Sequence, residues 1–366
     1  MITTFLIGLI SVLFAYISGI TNQTKYLLIS FVILLVFLSL RYDFGNDYMA
    51  YFEIYDDIND TSWSEVKDVS GIGALGETME FGFIYLLKFF TVFSDFFFFI
   101  FANSLLLCAA YFLLIKKYVS LNYAWMGVFL FVFDPNLMLV ELSALRQTLA
   151  IICFLFSIQY LIKRNVVKYI ICILIASSFH YSAIILLPLY FAFSPKPVLR
   201  LEPFIYIGLY LFLLLFGEVL LHPIEAFTNT YLPKYLGYVT DAEKANIESG
   251  YGLILYSFVY LVLLLFAKRD TEADRVMYRI VAIFMILTPL SLILNMLTRM
   301  TFYLEPALVV VIPQMLSITT NRLFKISFIA LLIFITLVTT RSHFNSDTYK
   351  ENYYNYKTIF SESNVR

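Results

Sequence analysis

The sequence predicts an all-α polytopic membrane protein with about 10–12 transmembrane helices, and three observations carry that reading. Of its 366 residues, 61% are hydrophobic and 14% charged, with a mean hydropathy of +0.83, too little polar surface to cover a soluble globule of this size. Its apolar runs approach the roughly 20 residues that cross a 30 Å hydrocarbon core as a helix, the form that satisfies its own backbone hydrogen bonds. The alternating apolar and polar segments of a membrane β-barrel are absent.

The spans are oriented by lysine and arginine, which collect in short loops on the cytoplasmic side. The basic turns are Lys25, Lys116-Lys117, Lys163-Arg164 with Lys168, Lys196 with Arg200, Lys268-Arg269 with Arg275 and Arg279, and Arg322 with Lys325. Placing them all inside puts the N-terminus outside, with the first spans over 4–20 and 26–40. The first run has no basic leader and no small-residue cleavage site, so it reads as a retained span. An outer loop over about 41–95 follows, with a glycine-rich patch from Gly71 to Gly76. It ends in the aromatic run Phe81 to Phe93, which is short for a span and reads as an interfacial helix.

Spans over 96–115, 121–139 and 143–162 come next. The run 168–193 has basic residues at both ends, which a single crossing cannot keep inside, and a broken or re-entrant hairpin turning near Ser177 to His180 resolves this. Spans over 203–221, 252–267, 276–294, 301–318 and 323–340 complete the chain. A second outer loop lies at about 222–251, and a tyrosine-rich outer tail covers 341–366. No repeat, linker or low-complexity block divides the sequence, so a single transmembrane domain over 1–366 is expected.

Net charge of −1 gives no footprint for nucleic acid. Cys108, Cys153 and Cys172 sit in apolar runs without ligand spacing and read as small core hydrophobes. There is no phosphate loop, GxSxG, HExxH or cysteine-rich metal set, so the reading calls for no cofactor and no metal, and the energy of any reaction must come with the substrate.

The topology gathers on its outer face the polar groups that the inside rule leaves unexplained: Arg41, Asp43, Asp47, Glu80, Asp134, Glu141, Arg146, Arg299 and Glu305. His180 approaches from within. Ionisable residues at membrane depth are costly and mark a ligand path or a catalytic cavity. Guanidiniums at 41, 146 and 299 suit a diphosphate, since a planar fork gives paired, charge-assisted hydrogen bonds; each would equally serve as an interface anchor or ion-pair partner. His180 carries an imidazole, which can take a proton from a sugar hydroxyl, or it can be a hydrogen-bonded structural residue. Asp43 and Asp47, four apart, would share a face on a helix. Glu80 before Phe81-Gly82 can cap the following helix. Most aromatics read as lipid-facing or belt residues, while Tyr48, Tyr51, Tyr303, Tyr353, Tyr354 and Tyr356 are candidates to stack on sugar faces.

At Arg41-Tyr-Asp-Phe-Gly-Asn-Asp47-Tyr48-xx-Tyr51, Glu80-Phe-Gly82, Arg146-Gln147 and Ser178-Phe-His180-Tyr-Ser-Ala, the chain resembles the EpsG-like family of bacterial Wzy-type polysaccharide polymerases, over about residues 26–320. A usual Gly-Thr-Asp-Tyr is here Gly45-Asn46-Asp47-Tyr48, which keeps the acid and the aromatic and loses the hydroxyl. The resemblance implies a fold similar to the metal-independent lipid-linked (GT-C-like) glycosyltransferases. It also implies transfer of a glycan from an undecaprenyl-diphosphate donor to a sugar hydroxyl of a lipid-linked acceptor, at the outer face of the bacterial cytoplasmic membrane. Membrane lipids and a chain-length regulator are the further partners it suggests.

On that reading Arg146 and Arg299 grip the donor diphosphate and Arg41 helps to hold the second lipid-linked chain. Tyr48, Glu80, Gln147 and Tyr303 complete the substrate contacts. The base is His180 or Asp47, with Glu141 the third catalytic candidate, and the anomeric centre inverts. Three alternatives stay open: a flippase or transporter for the lipid-linked oligosaccharide, which would spread charge along a path and show a two-half repeat; an O-antigen ligase with a different acceptor; and a membrane acyltransferase acting on sugars, which would also want a His near an Arg.

Overall fold

A computed structural model describes residues 1–66, 79–93, 95–220, 230, 250–291 and 295–362. The patch Gly71 to Gly76 and most of the expected second outer loop lie outside these residues. The described chain is helical apart from short turns and one two-stranded pairing. Among the described residues, five helices are long and apolar enough to cross a membrane: Ile2–Thr21, Phe96–Tyr118, Leu145–Ile162, Leu297–Ile318 and Arg322–Asn345. A bent pair, Leu121–Phe133 with Pro135–Ser143, can make a sixth span, and six shorter apolar helices accompany them. This is an all-α multi-pass membrane protein.

The helices form two compact units. The first contains Met1–Tyr160, Asn165–Leu187 and Thr336–Arg366; the second contains Leu161–Arg164 and Pro188–Ile335.

In the first unit, the helix Ile2–Thr21 buries its small residues, Gly8, Ser11, Ala15, Ser18 and Gly19, and leaves Leu6, Leu9, Ile10 and Leu13 exposed. That pattern inverts a soluble helix, and it suits lipid, where close backbone approach replaces hydrophobic burial as the source of packing. At Gly19 a Cβ would lie 2.8 Å from the Leu121 carbonyl oxygen, so only glycine lets the helix Leu121–Phe133 come this near. Helix Phe96–Tyr118 starts on Asp95, whose carboxylate accepts the Phe97 amide at 2.7 Å, and ends on Lys116-Lys117, each charge set against the favourable end of the dipole.

Two helix breaks shape the unit. The expected continuous span over 121–139 stops at Asp134, because Pro135 lacks a donor and clashes with the preceding turn; the chain resumes at an angle of 55° through Pro135–Leu139 and Val140–Ser143. The break expected near His180 is present. Helix Val166–Phe179 ends there, His180 is extended (φ −154°, ψ 115°), and a 3₁₀ segment Tyr181–Ile185 leads into Leu186–Ala192.

The loop after the second helix is not a solvated turn. Asp43 has φ 46° and helix Tyr48–Asn59 begins only after Asp47, so the two acids lie in the loop and not on one helical face. Nor is the tail loose. The last long helix extends to Asn345, and beyond it Lys357–Thr358 pairs antiparallel with Arg41–Tyr42. Lys357 meets Asp43 at 2.6 Å, the Gly45 amide donates to the Asn352 carbonyl at 3.1 Å, and Tyr356 stacks on Phe37 at 4.5 Å. The C-terminal segment thus straps the loop that carries Asp47.

The second unit contains Glu202–Phe216, Gly250–Phe266, Glu272–Ser291, Asn295–Leu304 and Leu308–Ile318. It is tied by a two-pronged ion pair in which Arg279 Nε and Nη2 donate to the two Glu202 oxygens at 2.7 and 2.9 Å.

Candidate active site

Three segments of the first unit meet at the Glu80 carboxylate, and a fourth joins them through Arg146. Glu80 precedes the short helix Phe81–Phe90 in an extended conformation, and its side chain makes no capping bond to that helix. It turns inward instead and accepts three hydrogen bonds. Arg146 Nη1 donates to Oε2 at 2.9 Å, His180 Nδ1 lies 3.0 Å from Oε1, and the Tyr181 amide donates to Oε1 at 3.0 Å. Arg146 Nε also reaches the Tyr51 hydroxyl at 3.4 Å. Glu80, Arg146 and His180 are 4, 7 and 7% exposed, so this is a buried ionic cluster.

Local sequence explains the convergence. Arg146 occupies the first turn of Leu145–Ile162, the positive end of the dipole, where a cation needs a counter-charge, and Glu80 supplies it. Gly82 lets Phe81–Phe90 approach Val166–Phe179. A Cβ there would lie 2.4 Å from Ser178 Oγ and 2.7 Å from its carbonyl oxygen, so the glycine of Glu80-Phe-Gly82 and the serine of Ser178-Phe-His180 are partners in one contact. Lys88 joins the same helix to the end of Tyr48–Asn59 through the carbonyls of Ile58, Asn59 and Thr61, at 3.0, 3.2 and 2.6 Å. Tyr51 is held on the Tyr48–Asn59 helix.

Burial alone pushes the Glu80 carboxyl up. The His180 hydrogen bond, the Arg146 charge and the Tyr181 amide outweigh it and hold the group down at about 2. Glu80 is therefore ionised at neutral pH, which makes Nδ1 of His180 the protonated nitrogen and leaves the lone pair on Nε2. Among the described residues Nε2 is buried and has no hydrogen-bond partner. A carboxylate on one ring nitrogen and an open lone pair on the other is the arrangement of a general base whose imidazolium form is stabilised from behind.

Arg41 is 1% exposed, its guanidinium donating to the Leu38 carbonyl, to Ser104 Oγ at 3.0 Å and to the Leu142 carbonyl at 3.0 Å. It fastens the first loop to two helices. Glu141 is 1% exposed and accepts from the Tyr111 hydroxyl at 2.7 Å, with its second oxygen lacking a partner among the described residues. Tyr48 packs edge-on to Tyr42 and Phe96, in the core. Asp47 is half-buried, its amide donates to Ser143 Oγ at 3.1 Å, and its charge acts on Tyr51. Gln147 is buried beside Arg146. Arg299, half-buried, and Tyr303, fully buried, belong to the second unit. Sequence reasoning met Gly82 and Tyr181 only as members of motifs and gave them no role, because their contributions are a missing Cβ and a backbone amide.

A multi-pass helical membrane protein with a buried carboxylate, imidazole and guanidinium around one open ring nitrogen has the makings of a membrane-embedded transferase. No curated protein and no solved structure matches the chain. The EpsG family matches residues 24–358, nearly the whole length, and the chain belongs to that family. Membership implies a polymerase-type glycosyltransferase role in polysaccharide biosynthesis.

Proposed function

We propose that the protein lengthens a polysaccharide by transferring a glycan from an undecaprenyl-diphosphate donor to a sugar hydroxyl of a lipid-linked repeat unit, at the outer face of the bacterial cytoplasmic membrane. The observation that carries this reading is the His180 ring, bonded to Glu80 through Nδ1 and open at Nε2. In the proposed step, Nε2 takes the proton of the acceptor hydroxyl as its oxygen forms a bond to the anomeric carbon. The bond from that carbon to the diphosphate breaks on the opposite face, and the electron pair leaves with the lipid diphosphate, inverting the centre.

A diphosphate departs as a stable anion, so no general acid is needed at the leaving oxygen. Glu80 stabilises the imidazolium as it forms. Arg146 offsets Glu80 at rest and adds positive charge for the leaving diphosphate once His180 is protonated. The assignment of Arg299 and Tyr303 to the substrate rests on the sequence. A positioned base contributes about 10²–10⁴-fold, so His180→Ala is expected to collapse the polymer ladder of cells at matched expression. Full-length ladders in both His180→Ala and Arg146→Ala cells would remove the assignment.

A further inference from the structure

The second unit carries an open cavity of about 590 Å³ whose lining includes Arg200, Arg269 and Arg275 and no carboxylate. The neighbouring acids are engaged elsewhere. Glu202 holds Arg279 and accepts the Tyr206 hydroxyl at 2.8 Å and the Leu199 amide at 3.1 Å. Asp274 accepts the Thr271 amide and Gln314 Nε2, each at 3.0 Å, and lies 3.5 Å from Lys268. Asp270 and Glu272 are exposed and do not line the cavity.

The arginines are set up to receive an anion. Arg275 donates Nε to the Arg269 carbonyl at 3.1 Å, Nη1 to the Pro195 carbonyl at 3.1 Å and Nη2 to the Asp270 carbonyl at 2.6 Å. Three of its five N–H groups thus fix the turn, and two are left for a ligand on a side chain that has already lost its freedom. Arg269 donates to the Leu265 carbonyl at 2.8 Å and lies 5.2 Å from the Tyr278 ring centre. Arg200 is exposed and has no protein partner among the described residues. Planar guanidiniums in this number match a phosphate group better than a point charge would.

The flank of the cavity is apolar and outward-facing: Leu199 is 73% and Phe204 62% exposed, and Phe204 lies on the apolar helix Glu202–Phe216. A free anion would use the arginines and leave that flank uncovered, whereas a phospholipid uses both. We propose that this pocket binds the phosphate of an anionic membrane phospholipid, with the guanidiniums of Arg200, Arg269 and Arg275 on the headgroup and the acyl chains along Leu199 and Phe204. The proposal is independent of the glycosyl-transfer reading.

The test titrates the full-length protein, in neutral detergent, with phosphatidylglycerol, phosphatidylcholine and inorganic phosphate, reading bound lipid by native mass spectrometry and the thermal midpoint alongside. Phosphatidylglycerol is expected to bind at least about tenfold more tightly than phosphatidylcholine, with inorganic phosphate leaving the midpoint unchanged. At roughly 1 kcal/mol per basic residue facing anionic lipid, Arg200→Gln lowers phosphatidylglycerol affinity about fivefold and Arg200→Gln/Arg269→Gln about 30-fold. Phosphatidylcholine binding should not change. Arg200 is exposed and has no hydrogen-bond or ion-pair partner among the described residues, so its single variant tests the site even if the Arg269 change disturbs the turn. Equal binding of the two lipids, a midpoint that follows inorganic phosphate instead, or unchanged phosphatidylglycerol affinity in Arg200→Gln would each overturn the proposal.

Discussion

Replacing Glu80 by glutamine keeps the shape of the cluster centre and removes its charge. The carboxylate accepts from Arg146 at 2.9 Å, from His180 at 3.0 Å and from the Tyr181 amide at 3.0 Å, all in a buried setting. Removing one charge of a buried pair costs roughly 3–5 kcal/mol, here toward the lower end because the amide oxygen still accepts a hydrogen bond. A neutral amide neither fixes the His180 tautomer nor stabilises the imidazolium, a change that costs about 10⁴-fold in turnover where a carboxylate orients a catalytic histidine. Stability and activity can be separated with Glu80→Gln/Arg146→Met, which removes both charges. Replacing a buried ion pair with uncharged groups is often close to neutral, so the double variant should recover most of the thermal midpoint and none of the activity. The assays are thermal melting of purified protein in detergent and the rate of lipid-linked glycan extension. Wild-type extension by Glu80→Gln, or return of both midpoint and activity in the double variant, would refute the role given to Glu80.

Gly82→Ala should cost about 1–3 kcal/mol and lower activity with it, because the new methyl would lie 2.4 Å from Ser178 Oγ and 2.7 Å from the Ser178 carbonyl oxygen. Adding Ser178→Gly relieves only the hydroxyl contact, so melting curves should show partial rescue. The acid limb of the stability profile reports on Glu80. Its carboxyl is held at about 2 against an ordinary 4.5, so its contribution is complete above pH 4.5 and is lost as pH falls toward 2. Melting midpoints taken across that window should fall less steeply in Glu80→Gln than in wild type. Arg41→Met should destabilise by about 1–3 kcal/mol through the acceptors it leaves unpaired at Leu38, Ser104 and Leu142, with the remaining folded protein still active; a specific loss of turnover at full stability would return Arg41 to the substrate site.

Much of this was legible in the sequence. Apolar runs and basic turns located most of the helices, since membrane spans are specified by composition over some 20 residues and need no long-range information. Isolated ionisable residues in apolar surroundings pointed to Glu80, Arg146 and His180 separately. Their pairing was not legible, because Glu80 lies 66 residues from Arg146 and 100 from His180, and their meeting depends on helix approach at Gly82.

For Arg41 the sequence shows a charge and not the carbonyls of Leu38 and Leu142 that accept from it. Tyrosine was ambiguous in the same way. Tyr353 and Tyr356 read as candidates for sugar stacking, yet Tyr353 donates to the Leu139 carbonyl at 3.0 Å and both pack edge-on to Phe44. The span expected over 121–139 ran through Asp134-Pro135, because hydropathy does not register a proline; whether a helix stops there or resumes at an angle is decided by packing.

The central claim is that His180, oriented by Glu80, serves as the base in glycosyl transfer between lipid-linked chains. The most direct measurement incubates purified protein with its lipid-linked repeat unit and quantifies both longer lipid-linked glycan and released undecaprenyl diphosphate. Wild-type protein should yield the two in step and folded His180→Ala protein neither. No product from folded wild-type protein, or equal product from His180→Ala, would contradict the account.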